Sequence, residues 1–489
     1  MKATTSDCLK DRLAMSKSHS RRRFYGKAAA NFAESPLAFR HLAELSGHAA
    51  AAYGNRPAFT TQLPNGSFVT IDFSDADRLS SQFAVYLREV AGLQQGDVVA
   101  VMSPNCIGFA LAVCGIFKAG CICTNINPLY TAVEMEHQLR DSGAGVLVII
   151  DLFGDKADTV VSTTNVRQVV TLSLLDFFPP LRRMVMAFVM TRVKKMVPRM
   201  RTPHVTMNEA LKRGDAILAS SRIDVPDYRA GQGPDDTALY QYTGGTTGRS
   251  TGAELTHRNI LLNAAAAESL VSELLDYEAG ECSLVVLPMY HITAFALILV
   301  PAIEHGMHCV MIPNPRPPSN LKTAFENHPV SHFLGINTLY AALLEEPWCT
   351  AGRLAHLKFC GSGGAAQHTA IAERWEALTG LPVYQGYGLT EVAGALTLNP
   401  PGHNRVGSVG VPLPCTVVRI ADESGRECPR GEPGEVIAKG PSVMKGYLVN
   451  PEATAVTIRD GWLYTGDIGT MDEDGFVRIV DRKKDMILV

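Results

Sequence analysis

Leu239-Tyr240-Gln241-Tyr242-Thr243-Gly244-Gly245-Thr246-Thr247-Gly248-Arg249-Ser250-Thr251-Gly252 is the stretch on which the reading of this chain turns. Residues 237–242 form a short apolar run, the pattern of a buried strand. Glycines and hydroxyl residues follow, and the pattern over 253–267 predicts a helix. A strand, a Gly-rich loop and a helix make a phosphate cradle. Glycine lets the backbone come close and turn its N–H groups inward, and a helix N-terminus adds a favourable dipole. Thr246, Thr247 and Ser250 add hydroxyl donors. The loop is not a Walker loop, which needs Gly, four residues and then Gly-Lys-Ser/Thr; Arg249 stands where the second glycine would be. Alone, such a cluster fits a flexible surface loop as well as it fits a phosphate site.

The 489 residues exceed what one core needs, so several subdomains are expected. Apolar content of 46% and charged content of 19% are ordinary for a globular protein. A net charge of −3 argues against general nucleic-acid binding. The eleven cysteines are scattered without a CxxC pair, which fits reduced thiols in a cytoplasmic protein and makes structural zinc improbable. Residues 1–30 are polar, with a basic run at Arg21-Arg22-Arg23 and no apolar core of a secretory signal; they read as a weakly ordered tail. Residues 284–303 carry no Lys, Arg, Asp or Glu, but Pro288, His291 and Pro301 interrupt them. A buried strand, loop and helix explain this run better than a membrane span.

Working outward toward the N-terminus, helical spacing appears over 74–90 and 107–117, and strands over 97–102 and 145–150. Thr131-x-x-Glu134 has the form of a capping box. This alternation predicts βαβ units and a mostly parallel sheet covered by helices. Residues 177–208 break the pattern. They hold Arg182, Arg183, Arg192, Lys194, Lys195, Arg199 and Arg201, no acid, and interleaved apolar residues such as Met184, Val185 and Phe188. Two readings stay open: a basic amphipathic helix on an anionic membrane surface, or a solvated helix packing its apolar side on the domain. Beyond Arg405 short strands alternate with turn signals such as Asp472-Glu473-Asp474-Gly475, so 405–480 reads as a β-rich subdomain.

Four further stretches carry chemistry. Pro288-Met289-Tyr290-His291 puts an imidazole at a strand–loop junction. Gly361-Ser362-Gly363-Gly364-Ala365 exposes backbone that a flat ring could approach. Tyr384-Gln385-Gly386-Tyr387-Gly388-Leu389-Thr390-Glu391 combines an aromatic face, a hydroxyl and a carboxylate suited to Mg²⁺. Gly461-Trp462-Leu463-Tyr464-Thr465-Gly466-Asp467 offers a carboxylate able to accept both hydroxyls of a ribose. Each is weak singly.

Together, and in this order, they resemble the adenylate-forming superfamily of acyl-CoA synthetases, luciferases and adenylation domains, over residues 37–489. Residues 242–248, 288–291, 384–391 and Asp481-Arg482-Lys483-Lys484-Asp485-Met486-Ile487 look most like bacterial long-chain fatty-acid–CoA ligases, as does the basic segment 182–201. The resemblance implies an α/β fold: a large N-terminal adenylation domain over 31–481 with layered βαβ subdomains and the small β-rich unit. It implies that a carboxylate attacks the α-phosphate of MgATP to give acyl-adenylate, which CoA then converts to a thioester. Thr243, Gly244, Gly245, Thr246, Thr247, Gly248 and Ser250 would hold the β- and γ-phosphates, and Thr243 with Glu391 would serve Mg²⁺. Gly363, Gly364, Gln385, Gly386 and Tyr387 would hold the adenine, and Thr390 would touch the α-phosphate. Asp467 and Arg482 would hold the ribose, His291 would sit beside the acyl carboxylate, and Lys484 would be a hinge.

Two departures qualify that implication. Thr251 stands where the family usually has lysine, and a hydroxyl does not replace that charge on a polyphosphate. Residues 482–489 read as a hinge and a stub, so the family's C-terminal lid, a domain of roughly 100 residues, is expected to be missing. The expectation is therefore binding of MgATP and a fatty acid, with thioester synthesis by this chain in doubt. Two rivals follow: a non-catalytic binder of nucleotide or fatty acid, and an acyl-AMP ligase serving another acceptor. A cytoplasmic location, with peripheral membrane contact through 182–201, completes the expectation.

Overall fold

The structure is a computed structural model that describes residues 24–32, 37–244 and 249–482. Most of the expected tail over 1–30, and the expected stub apart from Arg482, fall outside these residues, as do Gly245, Thr246, Thr247, Gly248 and Lys484.

Two large sheets organise the α/β fold. In one, parallel strands Val98–Met102, Ile122–Ile126, Val146–Ile150 and Gln168–Leu172 lie side by side, joined by helices such as Ile107–Lys118 and Ala132–Ser142. Val146–Ile150 is buried at every position, which is why it reads as a continuous apolar run rather than an alternating one. The capping box is present: Thr131 Oγ1 accepts from the Glu134 amide at 3.3 Å, and Glu134 Oε2 accepts from the Thr131 amide at 2.8 Å. In the second sheet, strands Phe359–Ser362, Val383–Tyr387, His332–Gly335, Cys282–Val285 and His308–Met311 run parallel. Helix Ile107–Lys118 contacts strands of both sheets and is buried almost throughout. Its Gly115 has a reason: a Cβ there would lie 2.8 Å from the Phe83 ring and 2.9 Å from the Ser80 carbonyl.

The phosphate-loop region departs from the expected strand–loop–helix. Thr237–Thr243 is followed by a second strand, Thr251–Thr256, which pairs antiparallel with it, and the helix begins only at His257 (His257–Val271). The Gly/Thr loop therefore connects two antiparallel strands, and the following helix starts after the second of them rather than at the loop. Thr256 caps the helix reciprocally with Asn259, accepting from its amide at 3.0 Å. Thr256-x-x-Asn259 was the local signal that marks the true helix start.

The segment past Arg405 is tied to both large sheets before it forms its own. Val411–Pro412 ends one sheet and Gly446–Tyr447 ends the other. Val417–Ala421, Gly434–Lys439, Ile458–Arg459, Trp462–Met471 and Val477–Arg482 make a separate antiparallel sheet of five strands. In the uncharged run over 284–303, a strand ends at Val285 and helical turns start at Ile292. Among the described residues no helix is long and apolar enough to cross a membrane.

Asn105 joins the two large sheets. Its side chain is buried, donates to the carbonyls of Val285 and Leu287 at 3.0 and 2.9 Å, and accepts from the Met289 amide at 2.8 Å. These bonds fix the descent from strand Cys282–Val285 to His291. Asn105→Ala leaves one buried amide and two carbonyls short of partners, so we expect a loss of about 2–4 kcal/mol, measurable by urea unfolding of the purified chain.

Candidate active site

Helix Ala132–Ser142 anchors both stems of the hairpin. Tyr242 donates its hydroxyl to Asp141 Oδ2 at 2.6 Å, and His137 Nε2 donates to the Ser250 carbonyl at 2.8 Å. Thr243 lies opposite Thr251 in the ladder. Gly244 and Arg249, on either side of the tip, are exposed. The backbone at both ends of the loop is thus held, and the flanking Gly244 and Arg249 are exposed.

The second sheet places the next group. Ser362 pairs in register with Gln385, so Gly363 and Gly364 leave the sheet beside Gly386 and Tyr387. Gly388 admits no side chain, because a Cβ there would lie 1.8 Å from the Gly394 carbonyl. Tyr387 donates its hydroxyl to Asp467 Oδ2 at 2.5 Å, and Arg482 Nε sits 3.3 Å from Asp467 Oδ1. Asp467 and Arg482 face one another across the ladder of the five-stranded sheet. Burial, and then the Asp467 carboxylate, push the Tyr387 phenol well above its ordinary value of 10.0, so it stays a donor.

Thr390 and Glu391 occupy a single 3₁₀ turn, Thr390–Val392, closed by Ala393 in the left-handed region at φ 60°. Glu391 Oε1 accepts from the Tyr447 hydroxyl at 2.7 Å, and the Glu391 carbonyl accepts from the Met444 amide at 2.8 Å. Tyr447 lies on the strand that pairs with Thr251–Thr256, so Glu391 is tied to the same hairpin that carries the Gly/Thr tip. Gln241 Nε2, from the first strand of that hairpin, donates to the Tyr290 carbonyl at 3.0 Å. His291 follows, with its ring centroid 4.8 Å from that of Tyr290. Burial lowers the His291 pKa from 6.5, which favours a neutral imidazole at pH 7.

Three asparagines that sequence reading passed over hold these parts together. Asn259 Nδ2 donates to the carbonyls of Pro441 and Val443 at 2.7 and 3.0 Å. Asn263 Nδ2 donates to Val392 and Ala395 at 3.0 and 2.6 Å, and its Oδ1 accepts from the Ala395 amide at 2.9 Å. Asn399 Nδ2 donates to the Gln385 and Ser408 carbonyls at 3.1 and 2.7 Å. Beside Gly363, Gly364 and Tyr387 opens a cavity with an empty volume of about 750 Å³, its open mouth included; Ala264, Ala267, Leu297, Leu334 and Phe359 supply apolar wall.

The strands that flank the Gly/Thr loop, the glycine pair, the Tyr387–Asp467–Arg482 chain and the Thr390–Glu391 turn thus converge on one cleft with an apolar cavity at its side. The chain belongs to the AMP-binding enzymes: that family's profile matches residues 47–448. Among individual relatives, the long-chain-fatty-acid–CoA ligase of Salmonella typhimurium is 40% identical over 456 residues, covering 93% of this chain and 79% of that one. Feruloyl-CoA synthase of Amycolatopsis sp is 32% identical over 436 residues, covering 88% of this chain and 77% of that one. ATP-bound MatB from Rhodopseudomonas palustris has a similar structure, with a TM-score of 0.74 at 26% identity over 91% of this chain and 80% of that one.

Asn263→Ala removes three hydrogen bonds from the turn that carries Thr390 and Glu391. We expect about 2–4 kcal/mol lower stability by urea unfolding, and a KM for MgATP raised more than the KM for the acid. Equal effects on both would show that the turn does not depend on Asn263.

Proposed function

We infer that this protein is an AMP-forming fatty-acid–CoA ligase. What supports the reading most is the 40% identity to a long-chain-fatty-acid–CoA ligase over 93% of the chain, joined to a cleft in which every described motif meets. A carboxylate is a poor electrophile, and transfer of AMP to it supplies a leaving group that a thiol can displace. The protein's task is to align carboxylate and α-phosphate and to balance phosphate charge, so positioning and electrostatics dominate.

In this reading the hairpin tip, Thr243 to Ser250, takes the β- and γ-phosphates through backbone N–H groups and hydroxyls, with Thr251 adding no cation. Gly363, Gly364, Gln385, Gly386 and Tyr387 form the adenine slot. Asp467 accepts the ribose hydroxyls, oriented by the Tyr387 hydroxyl and by Arg482. Thr390 donates to the α-phosphate. Mg²⁺ fits Glu391, because Tyr447 occupies only Oε1. Among the described residues no group of three His, Cys, Asp or Glu side chains could hold a metal, so phosphate oxygens and water would complete the shell, as is usual for Mg²⁺ on nucleotides. Bound there, Mg²⁺ would neutralise polyphosphate charge. His291, neutral, hydrogen-bonds the acyl carboxylate. CoA is the second acceptor, and Lys484 is proposed as the hinge. The adenylation domain is taken as 31–481, including the 405–480 β-rich unit.

We further propose peripheral contact with an anionic membrane through the helix Pro180–Phe188 and the turn Val189–Val193 after it. Leu181, Met184, Val185 and Phe188 recur at i, i+3, i+4 and i+7, and each is more than half exposed. The packed-down helix considered from the sequence accounts for Met186, Ala187 and Met190, which touch the core, but not for this stripe. Arg182, Arg192, Lys194, Lys195 and Arg199 flank it, all exposed. An apolar face edged by cations and free of acids matches the boundary of an anionic lipid layer.

Two measurements test these readings. Acid-dependent ATP–pyrophosphate exchange is expected, and Asp467→Asn should lower kcat/KM for ATP roughly tenfold to hundredfold by weakening charge-assisted bonds. Absence of exchange with every acid would refute ligase chemistry by this chain. Separately, cosedimentation with phosphatidylglycerol vesicles should exceed that with phosphatidylcholine. Met184→Ser with Phe188→Ser should reduce it several-fold, and unchanged binding would dispose of the membrane contact.

A further inference from the structure

The cavity beside Gly363 and Gly364 is not uniformly apolar. Ala264, Ala267, Glu268 and Val271 of helix His257–Val271 form one of its walls. Asn263 fixes this helix at the cleft end, where residues 390–395 lie. Glu268 is four residues beyond Ala264, about 6 Å further along the axis. The facing strands give the same direction. Their C-terminal ends, at Ser362 and Tyr387, meet the cleft, whereas Phe359 and His332, at their N-terminal ends, line the far part. Glu268 therefore stands toward the end of the cavity that lies away from the proposed site of the reacting carboxylate.

Its partners leave one oxygen free. The Tyr277 hydroxyl donates to Oε1, and Tyr277 is itself stacked on His305 outside the cavity wall. Oε2 has no hydrogen bond among the described residues. Burial pushes the Glu268 carboxyl up to about 7, with the neighbouring Glu304 acting in the same direction, so the group can accept or donate near neutrality. A plain alkyl chain drawn past Oε2 would strip it of water and give nothing back. A hydroxyl at the same depth would pair with it. Buried polar groups discriminate in this way far more sharply than apolar walls do.

We propose that Glu268 is a specificity-determining residue that selects acids bearing a hydroxyl, aliphatic or phenolic, on the distal part of the acyl group over unsubstituted acids of the same length. This rests on the ligase reading for the identity of the cavity as the acyl site, and it goes beyond that reading in naming the substrate's far end. His332 lines the same part of the cavity with its Nδ1 engaged by Ser283 Oγ at 2.9 Å, and among the lining residues Glu268 is the carboxylate.

The test compares ω-hydroxylated and plain acids from octanoic to tetradecanoic in pyrophosphate exchange. The wild-type chain should prefer the hydroxylated acid roughly tenfold or more in kcat/KM at the length that reaches Glu268. Glu268→Leu should abolish or reverse that ratio, and Glu268→Gln should keep much of it, since an amide also pairs with a hydroxyl. A ratio equal in wild type and Glu268→Leu overturns the proposal. Displacement of a fluorescent fatty acid from the wild-type chain gives a second readout that needs neither turnover nor a folded variant. Equal displacement by hydroxylated and plain acids at every length overturns the proposal as well. Absence of exchange with every acid, alongside selective displacement, refutes the ligase reading and leaves the selectivity of Glu268 standing.

Discussion

Asn259 and Asn263 lie one turn apart on the helix His257–Val271, and their buried amides cannot go unpaired without cost. Between them they bind carbonyls of Pro441, Val443, Val392 and Ala395. Those carbonyls belong to two short segments outside the large sheets, one at the 3₁₀ turn Thr390–Val392 and one just before Met444. Irregular backbone in the interior is tolerated only where its polar groups find partners. One helix therefore helps to set the positions of Glu391 and, together with the strand Thr251–Thr256, of Tyr447. Because each amide serves several backbone groups at once, loss of one would unpair a whole turn rather than a single contact.

The same logic recurs at each edge of the cleft. Asn105 fixes the segment leading to His291, and Asn399 fixes the Gln385 backbone against residues 405–408. Asp141 and His137 fix the stems of the hairpin. The groups that would meet nucleotide and acid sit at strand ends and loop turns, where they are free to face a ligand. The groups that hold them are buried amides, a carboxylate and an imidazole one layer back. A site that works by alignment and electrostatics requires this division, since a displaced donor loses most of its effect.

Much of this was legible in the sequence, and the rest was hidden for physical reasons. Continuous apolar runs such as Val146–Ile150 and the capping box at Thr131 announce their elements locally, and the ordered Gly-, Tyr-, Thr- and Asp-bearing motifs announce the family. The hairpin was misread because Thr251–Thr256 is buried on four of its six positions and lacks the two-residue alternation of a half-exposed strand. The asparagines were invisible because nothing near Asn259 or Asn263 in sequence records that the partners lie more than a hundred residues away. The apolar stripe on Pro180–Phe188 was ambiguous for the opposite reason: its spacing is that of any core-facing helix, and only the fold reveals that none of the described residues covers it.

A single rigid helix also places the two halves of the chemistry in one frame. Asn259 and Asn263, toward its N-terminal half, hold the segments proposed to meet Mg²⁺ and phosphate. Ala264, Ala267, Glu268 and Val271, toward its C-terminal half, form a wall of the cavity proposed for the acyl group. A shift of this helix would therefore move the nucleotide-side turn and the acyl wall together. The alignment between carboxylate and α-phosphate is thus protected against motions that would separate two independently mounted sites. The capping pair Thr256–Asn259 sets the start of the helix at the end of the strand Thr251–Thr256, which fixes its register relative to that strand as well. The short link between hairpin and helix puts all three regions proposed to face ligand under one covalent and hydrogen-bonded constraint.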